Sequence, residues 1–327
     1  MRTSSHLPDH ATDLGHQIYL VDTGFGGRPG FDGAYLVVAD GHAAFIDTGH
    51  NGAVKRLLDT LAAVGLTPDA VDWVIPTHVH LDHAGGAGLL MSRLPHARAL
   101  IHPRGARHLI TPLALVEGAR AVYGADEVRR TYGTIEPIPA ERVVESHDEM
   151  VIHVGTRPLR LIDTPGHARH HHCIWDERSR GWFTGDTFGI SYREFDSAAG
   201  PWLFPSTTPV QFEPAALRSS VARLLDAAPQ ALYLTHFGRV DQVGRVAAQF
   251  LAALDAFEQG GVAAQARHPG DAPACEAALR TLVDTTLLTA ARDAGATVPD
   301  DVARALLATD ITLNAQGLQV WLSRAAP

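Results

Sequence analysis

The chain has 327 residues, of which 46% are hydrophobic and 19% are charged, and its formal net charge is -9. A chain of this length can bury one large core, or a core with a smaller appended part. The acidic balance argues against nucleic-acid binding, because such proteins carry a basic face. No segment approaches the roughly 18 uninterrupted apolar residues of a membrane span. The composition therefore predicts a globular protein with neither nucleic acid nor membrane as its partner.

The amino-terminal segment and the cysteines bear on the compartment. Residues 1–15 are polar where a secretory signal needs an apolar stretch. The two cysteines, Cys173 and Cys275, lie far apart in the sequence and offer no framework of disulfides. A cytoplasmic location is therefore expected, with Cys173 as a buried free thiol.

Short apolar runs separated by glycine-rich breaks predict a strand-rich first part. The predicted strands lie at 18–21, 34–38, 43–46, 71–75, 151–154, 159–162, 173–175, 181–184 and 232–234. Apolar residues at helical spacing predict helices at 54–61 and 243–257 and around 279–287.

A stretch with two prolines, three glycines and few large apolar residues, 259–273, marks the expected domain boundary. The prediction is a catalytic core at 15–258 and a helical C-terminal extension at 259–327 that packs on it. Apolar stripes in 302–322 suit packing on the core or on a second copy, so a homodimer stays open.

One short segment contains most of the candidate metal ligands. Directly after a predicted strand, Thr77 is followed by His78, His80, Asp82 and His83. Side chains two apart on an extended segment point the same way, so the first two imidazoles can share one metal ion, while Asp82 and His83 on the next turn can face another. The alternative for Asp82 alone is an N-cap of a helix that opens at His83.

Three isolated residues follow later strands in the same manner: His167 in a Gly-His pair, Asp186 in a Gly-Asp pair and His236 in a Thr-His pair. Any one of them alone is more commonly a core or surface residue. Together with the dense segment, they supply enough ligands for two ions.

These motifs resemble the metallo-beta-lactamase superfamily, whose His-x-His-x-Asp-His signature is met in full. The resemblance spans about residues 19–238 and implies an α/β fold, a four-layer αββα sandwich. It implies a first metal held by His78, His80 and His167. It implies a second metal held by Asp82, His83 and His236, with Asp186 as the bridge.

The resemblance also implies the cofactor and the chemistry. Two divalent ions, expected to be zinc with iron or manganese as alternatives, hold a bridging hydroxide at neutral pH. Asp82 is the catalytic residue in this prediction, because its carboxylate can guide the proton of the nucleophile and later protonate a leaving group.

Further residues are predicted around the metals. Asp47 matches a family aspartate that organises the site, and His170 and His171 are expected to support the ligands rather than to bind a third metal. An aromatic loop at 188–207 is a candidate wall for the substrate pocket, formed by Tyr192, Arg193, Trp202 and Phe204. A surface loop with buried anchors is the alternative for this segment.

The leading functional hypothesis is hydrolysis of an ester, thioester, lactone or amide of a small molecule, as in the glyoxalase II-like branch. The alternative is a mononuclear iron oxidoreductase of the persulfide dioxygenase type, which would leave Asp82, His83 and His236 without a metal. Flavin-diiron reductases carry a glutamate where His80 stands. Nucleases, exported lactamases and a metal-free scaffold fit the sequence less well.

Overall fold

The computed structural model describes residues 6–325 and divides into two compact units. The first unit comprises the described parts of Met1–Asp163 with His170–Gly185 and Ala231–Arg239. The second comprises Thr164–Arg169, Asp186–Gln230 and the described part of Val240–Pro327. Residues 1–5, which begin the segment predicted to lack a secretory signal, lie outside the described residues.

The first unit contains a seven-stranded sheet whose strands follow one another in chain order. The first four strands pair antiparallel and the last four pair parallel. The strands are β1 (Ala11–Asp13), β2 (Ile18–Asp22), β3 (Gly33–Ala39), β4 (His42–Ile46), β5 (Val71–Ile75), β6 (Arg98–Ile101) and β7 (Val143–Glu145).

A second sheet of six strands belongs to the same part of the chain, with β13 at one edge and β8 at the other. Most neighbours pair antiparallel, whereas β11 and β12 pair parallel. The strands are β8 (Val151–Val154), β9 (Arg157–Asp163), β10 (His172–Asp176), β11 (Gly181–Gly185), β12 (Ala231–Leu234) and β13 (Gly238–Val240).

Strand β3 shows why the two sheets form a sandwich. All seven of its residues are buried, and alternate side chains enter two different cores. Tyr35 and Val37 pack between the sheets, where the Tyr35 ring lies 5.1 Å from that of Phe183 in β11. Leu36 and Val38 face the opposite core, which the helices cover. A strand buried on both faces reads as a continuous apolar run, as its sequence does.

The described residues of the first unit form six α-helices, which flank the sheets. Helix α1 buries Val54, Leu57 and Leu61 in the core below β3, at the helical spacing that predicted it. The helices are α1 (Val54–Ala63), α2 (Leu81–Ala84), α3 (Ala87–Arg93), α4 (Pro103–Ile110), α5 (Leu113–Tyr123) and α6 (Ala125–Tyr132). Two sheets flanked by helices are therefore present, as the sequence predicts.

The second unit is helical, with α7 (Pro214–Asp226), α8 (Val243–Arg267), α9 (Ala272–Asp293), α10 (Asp300–Leu306) and α11 (Ala308–Ala325). Helix α8 continues to Arg267, beyond the predicted end at 257. Glycines that the sequence suggested as a break lie inside it, because a Cβ on Gly260 would come within 2.5 Å of Leu282 in α9. Here glycine permits close helix packing.

The predicted strands are confirmed, with ends that differ by two residues or fewer. The division at residue 259 stays a prediction. Among residues 6–325, no helix combines the length and apolar character needed to cross a membrane.

Candidate metal centre

The loop after β5 carries the first two histidines. Pro76 follows the strand directly, and His78 lies on the loop with its side chain buried. Its Nε2 lies 2.8 Å from Nδ1 of His80, while the hydroxyl of Thr77 lies 3.2 Å from its Nδ1. The structure therefore brings these two imidazoles together, as the alternation of side chains predicts.

Helix α2 places the next two residues of the motif. It begins at Leu81 with His80 at the N-cap position, so Asp82 lies inside its first turn. The alternative prediction, that Asp82 caps a helix opening at His83, is wrong, because the helix begins one residue before Asp82. Its carboxylate Oδ2 instead lies 3.7 Å from Nε2 of His83 and 3.4 Å from Nε2 of His236.

His236 follows β12, and its ring is oriented by a backbone contact. Its Nδ1 lies 3.2 Å from the carbonyl oxygen of Phe31. A carbonyl only accepts, so Nδ1 is the donor in this contact and Nε2 is the ring nitrogen that faces Asp82.

Asp47 ties three parts of the site together through its buried carboxylate. It accepts a hydrogen bond from the backbone N–H of Thr77 at 2.7 Å, one from Nδ1 of His83 at 2.9 Å and one from the hydroxyl of Thr235 at 2.6 Å. With Nδ1 of His83 committed to this carboxylate, its Nε2 is left as the nitrogen that faces Asp82. Such a carboxylate fixes the tautomer and the orientation of a ligating imidazole.

Asp47 directly follows β4 and has a φ of 56°. This left-handed conformation is uncommon for residues other than glycine, although aspartate adopts it more readily than most. Its carboxylate is buried and contacts the loops that follow β5 and β12.

Asp82, His83 and His236 fit a divalent cation. Each offers one ligand atom, and these atoms lie within 4.8 Å of one another. Two imidazole nitrogens and a carboxylate oxygen are a donor set that suits zinc, iron and manganese. In both rings Nδ1 contacts an acceptor, so Nε2 is the nitrogen that would bind the ion.

The run 170–172 packs beside the ligand loop in the first unit. The His171 ring stacks on His78 at 4.9 Å, and the His170 ring meets that of His80 edge to face at 5.6 Å. In His172, Nδ1 lies 2.9 Å from the Ser146 hydroxyl and Nε2 lies 2.9 Å from the Pro76 carbonyl. Burial lowers the pKa of His172 to about 4. This ring is neutral and structural at neutral pH.

In the second unit the structure brings His167 and Asp186 together. Both side chains are buried, and Nε2 of His167 lies 3.4 Å from Oδ2 of Asp186. The carbonyl of Ser206, 3.2 Å from Nδ1, holds the proton of the ring on that nitrogen. Nε2 of His167 therefore faces a carboxylate, as Nε2 of His236 does.

The predicted aromatic wall is also in the second unit. The side chains of Tyr192, Trp202 and Phe204 are buried; the last two rings stack at 4.8 Å. The Tyr192 hydroxyl donates to Asp310 at 3.0 Å, and the Arg193 guanidinium lies 3.5 Å from Asp196. These contacts favour the alternative of buried anchors for the aromatic residues. Substrate contact by all four stays a prediction.

Sequence reasoning missed a buried carboxyl, Asp32, which lies between β2 and β3. The Thr23 hydroxyl donates to its Oδ2 at 2.8 Å, and Oδ1 is buried without a hydrogen-bond partner among the described residues. Burial raises its pKa to about 7, against the opposing effects of His236 and His83. A lone aspartate in a glycine-rich turn gives no sequence signal of this kind.

Thr77 and Thr235 were also missed as supports of the site. Each directly precedes a predicted ligand, so the repeated Thr-His pair is the signal that could have identified them.

Three relatives show what this chain is similar to. A metallo-beta-lactamase fold-containing protein of Sulfurisphaera tokodaii is 28% identical over 53% of this chain and 62% of its own length. The acyl-coenzyme A thioesterase MBLAC2 of Gallus gallus is 28% identical over 58% and 67%, respectively. An N-acyl homoserine lactonase of Bacillus thuringiensis is 26% identical over 56% and 61%. The chain thus spans about three fifths of the first and third of these relatives.

Solved structures extend the likeness in fold. A metallo-beta-lactamase family protein of Thermus thermophilus superposes with a TM-score of 0.64 at 21% sequence identity, covering 96% of this chain and 95% of that one. The predicted fold class is confirmed. A family model described as the metallo-beta-lactamase superfamily matches residues 27–236, and the chain belongs to that superfamily.

Proposed function

We propose that the protein is a metal-dependent hydrolase that cleaves an ester, thioester, lactone or amide bond of a small molecule. The observation that carries the proposal is the cluster of Asp82, His83 and His236, whose donor atoms converge within 4.8 Å. A mononuclear iron enzyme would bind its single metal elsewhere and would leave Asp82, His83 and His236 without an ion. The names of two relatives, a thioesterase and a lactonase, support a reaction at bonds to an acyl carbon.

Divalent ions in such a donor set lower the pKa of a coordinated water towards neutrality and polarise a carbonyl oxygen. The residues of the chain contribute orientation. Asp47 holds His83 through Nδ1 and holds Thr77 and Thr235 beside the next ligands. Asp82, whose side chain is 28% exposed, is the acidic group that an incoming substrate can reach, which suits it to transfer a proton to a leaving group.

The number and identity of the ions belong to the proposal as well. Two ions, with zinc as the expected metal, would use all seven residues of the family pattern. The placement of His167 and Asp186 in that centre rests on the order of the family motifs. A position in the glyoxalase II-like branch, a cytoplasmic location and a homodimer likewise stay predictions.

A panel of esters, thioesters, lactones and amides tests the reaction on the metal-loaded protein. We expect hydrolysis without dioxygen, and loss of it in His236→Ala. Oxygen uptake with a persulfide substrate that survives His236→Ala would favour the iron oxidoreductase.

A pair of variants tests the ligand assignment. Asp186→Ala should lower both metal content and turnover, whereas His170→Ala should leave most of the metal bound. Equal metal loss in the two variants would contradict the division between ligands and supporting histidines.

A further inference from the structure

Helix α5 is rich in apolar residues, yet none of its residues is buried. Its apolar face consists of Leu115, Val116, Ala119 and Val122, which recur at helical spacing. The first three pack only partly against their neighbours, and Val122 is 44% exposed. A neighbouring polar edge is already satisfied, because Arg120 donates to Glu117 at 2.7 Å. Among the described residues, part of this apolar face therefore remains exposed.

This face adjoins the candidate metal centre of the same unit. Leu115, Val116 and Ala119 pack against a small apolar cluster formed by Leu81, Val128, Tyr132 and Ile135. Leu81 stands between His80 and Asp82 in the ligand motif itself. Burial raises the pKa of the Tyr132 phenol, and the negative charge of the Asp82 carboxylate raises it further.

A path of rings joins the two places. The Phe31 ring lies 5.8 Å from His236, the Phe25 ring lies 5.9 Å from Phe31, and the Tyr132 ring lies 5.7 Å from Phe25. Phe25 and Phe31 are partly exposed. The His50 ring, 5.6 Å from Phe25, has its pKa lowered by burial and is neutral at neutral pH. The path thus offers aromatic ring surfaces that start beside a metal-ligand candidate, with a cation along it, the Arg28 guanidinium, 4.8 Å from the Phe31 ring.

We propose that Phe25, Phe31, Tyr132 and the apolar face of α5 bind the aliphatic acyl chain of the substrate, with its carbonyl carbon beside Asp82 and His236. The inference rests on the proposed hydrolase function and names its substrate class. Water adds to the acyl carbon, the bond from that carbon to oxygen or sulfur breaks, and a carboxylic acid and an alcohol or thiol leave.

The continuity of the aromatic and apolar lining with the metal-ligand motif selects this occupant. A second copy of the chain or a lipid surface would cover the outer side of α5, but neither would explain a lining that leads inward to Leu81 and His236. A flexible aliphatic chain attached to the reacting carbonyl follows such a path. Each methylene that leaves water there favours binding by a factor of about three or four.

The test measures kcat/KM of the metal-loaded protein for acetyl, butyryl, hexanoyl and octanoyl thioesters of one thiol. We expect kcat/KM to rise with chain length, and we expect Phe25→Ala to lower the octanoyl-to-acetyl ratio at least about tenfold. A ratio that is flat in the wild type while acetyl thioester is hydrolysed would overturn the acyl site and leave the hydrolase standing.

A matched pair of substitutions controls for general effects on stability. Val122 and Val302 are both helical valines with 44% exposure, but only Val122 lies on α5. Val122→Ser should lower the octanoyl-to-acetyl ratio by about threefold, and Val302→Ser should leave it unchanged. If Val122→Ser alters the sedimentation mass or the binding to phosphatidylcholine vesicles and leaves the ratio intact, the face binds another occupant and the proposal is wrong.

A binding measurement separates this inference from the proposed reaction. Calorimetric titration of octanoate into the metal-loaded protein needs no turnover. If no thioester is cleaved, but octanoate binds and does so about tenfold more weakly to Phe25→Ala, the acyl site stands and the proposed reaction fails. Absence of octanoate binding to the wild type would refute the site.

Discussion

Two histidine-rich segments of the first unit show how differently the same side chain is used. In residues 78–83, the rings present nitrogens to one another and to Asp82 at distances of 2.8 to 3.7 Å. In residues 170–172, His172 has both nitrogens engaged by Ser146 and the Pro76 carbonyl. The number of histidines does not distinguish the segments. What differs is whether one nitrogen of each ring is fixed and the other faces a donor cluster.

The first way to test this contrast is to remove one ring from the donor cluster of Asp82, His83 and His236 and one ring from residues 170–172. His236 completes the donor cluster that the first segment builds, so we expect His236→Ala to lower kcat/KM by more than about 100-fold and to release metal. His170→Ala should change kcat/KM by less than about threefold. Steady-state kinetics with elemental analysis of both variants measures the difference, and similar losses in the two would remove the distinction.

A subtler substitution keeps every ligand and removes only its support. Asp47→Asn leaves the side-chain volume but weakens acceptance of the hydrogen bond from His83, so we expect metal affinity to fall about 10- to 100-fold. Asp72, which pairs with His42 at the surface, offers a matched control. Competition with a chromophoric chelator should show the loss in Asp47→Asn and no change in Asp72→Asn. Equal affinities in wild type and Asp47→Asn would contradict the role of Asp47.

The buried His172 should make the free energy of unfolding depend on pH. The pKa of His172 is lowered from 6.5 to about 4 because the ring is buried, so its folded form resists protonation. Its contribution to stability is complete above pH 6.5 and is lost as pH falls towards 4, where the unfolded chain takes up the proton first. The loss amounts to about 3 kcal/mol of unfolding free energy.

Denaturant unfolding at several pH values checks this contribution. In His172→Gln the unfolding free energy should fall less between pH 6.5 and pH 4 than in the wild type. The exposed His147 serves as the control position, where His147→Gln replaces a histidine that is not buried. A His172→Gln profile parallel to that of the wild type would show that this ring is not the group that titrates.

Sequence reasoning reaches the sheets and the ligand motifs because both have local signals. The apolar runs of β3 and β5 and the dense motif at 78–83 need no tertiary information. Prediction from sequence fails where contacts between distant residues decide the structure. Asp82 lies one position inside its helix, and Gly260 permits close packing where a break was expected.

Asp32 and Asp47 show the same limit. Both are single aspartates near glycines, and only burial distinguishes them from turn residues. Asp47 could be predicted through the family pattern, whereas Asp32 depends on what folds around it. The ring path joins His236 to Phe25, which lie at opposite ends of the family-like core in sequence. No sequence periodicity predicts a contact between residues so far apart.

The decisive measurement for the two-metal centre is the metal content per chain, obtained by elemental analysis of protein purified without added metal or chelator. We expect two equivalents of zinc, or of zinc mixed with iron or manganese, and a clear reduction in His236→Ala. One equivalent of iron that His236→Ala retains in full would contradict this expectation.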